Sequence, residues 1–121
     1  RVVAAWPAGA RHAPHSLAAG GRIANTRVDT ICDGLRADVG VATFPVLRDH
    51  VEAVLLVDDA GTRAAMALLL TRMKQLVEPS GAITLAAVLA HRELFAGRRV
   101  GVILSGGNVD PEALSALLGS T

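Results

Sequence analysis

The sequence predicts an α/β fold built on a parallel, layered sheet, and two observations carry that expectation. Apolar runs of strand length recur at residues 1–6, 51–57 and 100–104, and segments with helical spacing separate and follow them. The last run is the most informative, because Val100-Gly101-Val102-Ile103-Leu104 gives way at once to Ser105-Gly106-Gly107-Asn108. A buried strand that ends in a small, glycine-paired turn bearing one hydroxyl is a place to set a ligand, since ligands of open α/β sheets bind at the carboxyl ends of strands. An ordinary turn of small residues between strand and helix would have the same pattern.

Taken in order, Arg1-Val2-Val3-Ala4-Ala5-Trp6 reads as a strand in mid-sheet with no lead-in, which suggests a piece of a longer chain. Residues 7–14 read as loop, and residues 15–19 as at most a short helix stopped by Gly20-Gly21. Asp33-Gly34 forms a tight turn, and residues 43–50 a short helix with Pro45 in its first turn. The strand at 51–57 ends at Asp58-Asp59, either of which can cap the next helix. That helix, from about 60 to 77, puts Met66, Leu69, Leu70, Met73, Leu76 and Val77 on one packed face and leaves Arg63, Arg72 and Lys74 for solvent. Pro79 breaks the chain, and a second helix runs from about 82 to 95. Asp110 as N-cap, Pro111 at the first helical position and Leu114, Leu117 and Leu118 define the last helix. Three strands are few for a sheet that needs both faces covered, so residues outside this sequence or a partner are expected to complete it.

Composition narrows the function classes. Of 121 residues 51% are apolar and 2% aromatic, so the core is wide and aliphatic. The net charge is +1 and the arginines are scattered, which argues for neither a nucleic acid nor an anionic membrane as partner. The longest apolar stretches fall short of a transmembrane helix and no signal sequence opens the chain, making a cytoplasmic protein the default expectation. A single cysteine, Cys32 beside Ile31, is read as a packed thiol rather than a reactive one.

Three separated motifs then bring a family into view. Thr30-Ile31-Cys32-Asp33-Gly34, Val77-Glu78-Pro79-Ser80-Gly81-Ala82 and Leu104-Ser105-Gly106-Gly107-Asn108-Val109-Asp110 are similar to "TIADG", "EPSGA" and "LSGGNVD" of the threonine and serine dehydratases and serine racemases. Thr43-Phe44-Pro45-Val46-Leu47-Arg48-Asp49 and Leu70-Thr71-Arg72-Met73-Lys74 resemble the intervening "TFPILRD" and "ERMK", in the same order. Over nearly its whole length the chain therefore resembles the carboxyl-terminal half of these pyridoxal-phosphate enzymes of the second fold type. The resemblance implies an incomplete part of a three-layer parallel-sheet domain as in tryptophan-synthase-β-like enzymes, with residues 1–121 forming the carboxyl-terminal part of the large catalytic domain.

What the resemblance implies for residues follows position by position. Ser105 would hydrogen-bond the pyridine nitrogen of pyridoxal 5'-phosphate, where a carboxylate would hold that nitrogen protonated and make the ring a stronger electron sink. Gly106 and Gly34 would lie against the coenzyme, with Asp33 fixing the turn. Glu78 would position substrate, although a carboxylate just before a helix also reads as a plain cap. The family's cation pattern "EPxxAxD" meets Trp6-Pro7-Ala8-Gly9-Ala10-Arg11-His12 here, so both carboxylates are replaced and no magnesium or calcium site is expected. His12 and His15 are expected to face solvent rather than bind a metal. The family's coenzyme-bearing lysine lies in an upstream "SFKxRG"-like segment, and Lys74 matches a position of no catalytic role, so this chain alone is expected to be inactive. The implied reaction is dehydration and deamination of L-threonine or L-serine to a 2-oxo acid and ammonia, in a parent that is a homo-oligomer. Serine racemisation, or a non-catalytic remnant acting as a binding module, are the alternatives.

Overall fold

The computed structural model describes residues 1–119. Strand β1 (Val2–Pro7) pairs in parallel with β2 (Val51–Val57), in a register that sets Ala5 opposite Leu55 and Trp6 opposite Leu56. Successive side chains of a strand point to opposite faces, so neighbours on β1 enter different cores. Ala5 packs on the main cluster of Cys32, Leu55, Val57, Met66, Leu69, Val77, Ile83 and Ala86, whereas Trp6 packs on a smaller one of Ala13, Val39 and Phe44. Helices α1 (His12–Ala19) and α2 (Thr43–His50) supply the smaller cluster; α3 (Asp59–Leu68) and α4 (Pro79–Ala90) supply the larger. Helices on both faces of a parallel sheet are the layered α/β arrangement expected.

Several boundaries differ from expectation, each for a local reason. Helix α1 begins at His12 and not at residue 15, because Pro14 falls in its first turn, where a backbone N–H has no intrahelical partner to lose. It ends where expected: Gly20 adopts a left-handed φ of 69°, and the amides of Gly20 and Gly21 close on the carbonyls of Leu17 and Ser16. Asp58, not Asp59, caps α3, accepting from the Gly61 amide at 2.7 Å. Replacing Asp58 with alanine should lower stability by about 1 kcal/mol, read as a shifted urea midpoint with an unchanged slope.

The helix expected over 60–77 stops early. Beyond α3 the chain makes one π-helical turn, Leu69–Met73, and Lys74 then takes a left-handed φ of 58°. Met73 and Leu76, expected in the core, are 58% and 45% exposed, while Met66, Leu69 and Val77 are buried as expected. Lys74 therefore stands at a helix end rather than mid-helix, and it is exposed, with Nζ donating to the Thr71 carbonyl. The next helix likewise starts earlier, with Glu78 at its N-cap, and divides at His91 into α4 and the short α5 (Arg92–Phe95).

The larger correction concerns residues 100–104, which join no sheet ladder; the described residues form a two-stranded sheet. Ile103 is 77% exposed. The segment lies along α4, where the Thr84 hydroxyl donates to the Ile103 carbonyl at 2.9 Å, and among the described residues no strand pairs with its backbone. The chain then enters α6 (Pro111–Leu118), capped by Asp110 on the Glu112 amide. No helix among the described residues is long and apolar enough to cross a membrane.

Candidate functional site

The first turn of α4 is where distant parts of the chain meet. Glu78 takes an extended backbone at the N-cap, and its carbonyl accepts from the amides of Gly81 at 3.0 Å and Ala82 at 2.9 Å. Its carboxylate makes no capping hydrogen bond, so the side chain is not the plain helix cap that its position alone would suggest. The carboxylate instead stands beside Gly106. There the backbone has a φ of 92°, and a Cβ on that glycine would overlap Glu78 Oε1. The Glu78 amide donates to the Gly106 carbonyl at 3.2 Å, which holds the two segments together.

Gly81 completes the contact from the helix side. A Cβ there would lie 3.0 Å from the Ser105 carbonyl oxygen and 3.1 Å from its nitrogen, so the bare helix surface is what lets the backbone at Ser105 settle on α4. The turn Asp33–Leu35 arrives from another direction. Its Gly34 amide is shared between Asp33 Oδ1 at 2.8 Å and Ser80 Oγ at 3.0 Å. Gly34, Glu78, Ser105 and Gly106, nominated on three separate motifs, thus gather around one helix start.

Ser105 is exposed, and among the described residues its hydroxyl takes no hydrogen-bond partner. Two cavities, of about 310 and 380 Å³, lie elsewhere: one is lined by Val51 and Arg48, the other by His12 and Arg27. The candidate site is therefore an open face of backbone, one hydroxyl and one carboxylate. Cys32, close by in sequence, is fully buried, and desolvation pushes its thiol up to about 11, so it stays a protonated packing group as expected.

His12 requires a correction. The sequence reading sets it in solvent, yet it is 2% exposed and meets the Trp6 ring edge-on at a centroid distance of 5.3 Å. The start of α1 draws it inward; His15, one turn on, is exposed as expected. Among the described residues no cluster of three or more His, Cys, Asp or Glu side chains could hold a metal ion.

Two structural roles were not anticipated by sequence reasoning, that of Ser80 and that of Asp59, which was read only as a candidate cap. Ser80 supplies the hydroxyl that ties the Gly34 turn to α4. Asp59 accepts from the Thr30 hydroxyl at 2.8 Å and the Ile31 amide at 3.1 Å, anchoring the segment that leads into that turn. The available signal for Ser80 was its place inside a quoted motif; for Asp59 it was a second acid beside a cap that needs one.

Comparison with known proteins places the chain in a family and matches its fold. A family model described as pyridoxal-phosphate dependent enzyme matches residues 1–106. A serine racemase of Oryza sativa subsp. indica is 44% identical over an alignment of 115 positions that covers 91% of this chain and 34% of that protein. The structure of maize serine racemase superposes with a TM-score of 0.87 at 43% identity, covering 96% of this chain and 37% of that one. The crystal structure of a T.th. threonine deaminase gives a TM-score of 0.79 at 40% identity, covering 90% of this chain and 40% of that one. The chain spans about a third of the length of the curated relatives it matches.

Proposed function

Since this chain belongs to the pyridoxal-phosphate-dependent enzyme family, we propose that it provides the ring-nitrogen contact and a substrate-positioning carboxylate of an enzyme that dehydrates and deaminates L-threonine or L-serine to a 2-oxo acid and ammonia. The observation that carries the reading is the meeting of Ser105, Gly106, Glu78 and Gly34 at the start of α4. The residues present fit the coenzyme. A free hydroxyl can pair with a heteroaromatic nitrogen, and the missing Cβ at Gly106 leaves room for the Glu78 carboxylate against the turn that carries it.

When bound, pyridoxal phosphate supplies an electron sink that acidifies the α-hydrogen of an amino acid. The chain's own residues set how strong that sink is and how substrate lies. Ser105 is neutral, so it pairs with the ring nitrogen without holding a proton on it, and this milder setting suits loss of a β-hydroxyl over prolonged carbanion life. Glu78 sits partly buried at a helix N-terminus, where a carboxylate is favoured, and can accept from the ammonium or hydroxyl of a hydroxy amino acid. Gly34, whose amide donates to Ser80 Oγ at 3.0 Å, would lie against the coenzyme from its own turn.

Racemisation of serine is an equally supported reading, because the similar proteins include serine racemases as well as a threonine deaminase. Both readings use the same residues of this chain. The test is Ser105→Ala in holoenzyme that includes the upstream lysine-bearing segment, with 2-oxo acid and D-serine measured from the same reaction. Loss of one positioned hydrogen bond should lower turnover about tenfold and shift the absorbance of bound coenzyme. Turnover and spectrum both unchanged in Ser105→Ala would overturn the assignment of Ser105, and D-serine as the dominant product would select the racemase.

A further inference from the structure

Beneath the start of α1, away from the candidate site, lies the cavity of about 380 Å³, bordered by Arg11, His12, His15, Asn25, Arg27 and Asp29. His12 is 2% exposed and neither ring nitrogen has a hydrogen-bond partner; the indole nitrogen of Trp6, against which it packs, is buried and unpartnered too. Buried polar atoms in native proteins are nearly always paired, so two such groups side by side mark a missing partner. Its chemistry can be deduced. An indole N–H only donates and a neutral imidazole donates from one nitrogen while accepting at the other, so two of the three unpartnered atoms call for an acceptor.

The surroundings add a sign to that acceptor. Helix α1 opens at His12 with no side-chain cap, which sets the positive end of the helix dipole at the cavity. Arg11 spends its Nε on the Ala8 carbonyl at 3.0 Å and keeps the rest of its guanidinium. Arg27 approaches Asp29 no closer than 3.7 Å, with both side chains well exposed, so the lone acid at the rim does not neutralise the two arginines. A volume of this size suits a small molecule.

We propose that this cavity binds a small oxyanion, a carboxylate or a phosphate, through His12, the start of α1 and Arg27. The idea does not depend on the coenzyme, so it can fail while the proposed reaction stands, or the reverse. The test is a titration of the full chain, labelled with nitrogen-15, with sodium phosphate and separately with sodium malonate, against sodium chloride at matched ionic strength. Saturable shifts of the His12 ring and Trp6 indole signals with either anion support the proposal, and which anion acts identifies the class. His12→Phe, which keeps an aromatic ring against Trp6, should remove the saturable response at the indole, and the exposed Arg27→Gln should weaken it several-fold without touching the core. Shifts no larger than those in chloride would overturn the proposal, as would a response that survives in Arg27→Gln at full strength.

Discussion

Replacing Gly9 with alanine is expected to be the most damaging single-methyl change in the chain. The new Cβ would overlap the carbonyl oxygen of Asp29, and the same two residues are joined by the Asp29 amide donating to the Gly9 carbonyl at 3.0 Å. Backbone faces backbone there, so no flexible side chain can swing aside. The segment at 28–30 must move, and with it goes Thr30, which is buried and bonded to Asp59. Overpacking that displaces a backbone and breaks a buried hydrogen bond costs on the order of 3 kcal/mol or more. A domain of this size should lose roughly 10 °C or more of melting temperature from such a change. The check is a pair of thermal melts with Gly21→Ala as control, since a Cβ at Gly21 meets nothing within 4 Å. Equal melting temperatures for the two variants would show that the Gly9 contact relaxes freely.

The second large effect belongs to Gly106→Ala. A φ of 92° suits glycine and strains alanine, at a cost of about 1–3 kcal/mol. The added methyl also expels the Glu78 carboxylate from its place, because Oε1 occupies the space a Cβ needs. Stability and the candidate site should therefore suffer together: a lower urea midpoint and weaker coenzyme binding in one variant. Glu78→Gln separates the two contributions, for it keeps the side-chain shape and leaves Gly106 unstrained. If Gly106→Ala matched the parent chain in both measurements, the backbone at 105–107 would have to be far more pliable than its bonds to α4 suggest.

These two glycines also show what can be read from a sequence and what cannot. Strand β2, helix α2 and helix α6 were legible because their signals are local: apolar runs bounded by acids, a proline in a first turn, an Asp-Pro start. The end of α3 was not, since the apolar period runs on through Met73 and Leu76 after the π-helical turn and the left-handed Lys74 have already ended the helix. Residues 100–104 read as a strand from their own composition, yet a strand exists through its neighbours, and α4 is what this segment meets. For the site, the resemblance nominated Gly34, Glu78, Ser105 and Gly106 one by one. Their convergence, and the part of Ser80 in it, depend on contacts across 46 residues of chain, as between Gly34 and Ser80, that no local pattern encodes.

The two-stranded sheet has a consequence for handling the molecule. Among the described residues, the outward borders of β1 and β2 display backbone donors and acceptors that no neighbouring strand pairs, with Val2 and Val3 exposed on β1. Such borders template one another, so concentrated solutions of the isolated polypeptide are prone to stack copy on copy toward fibrils.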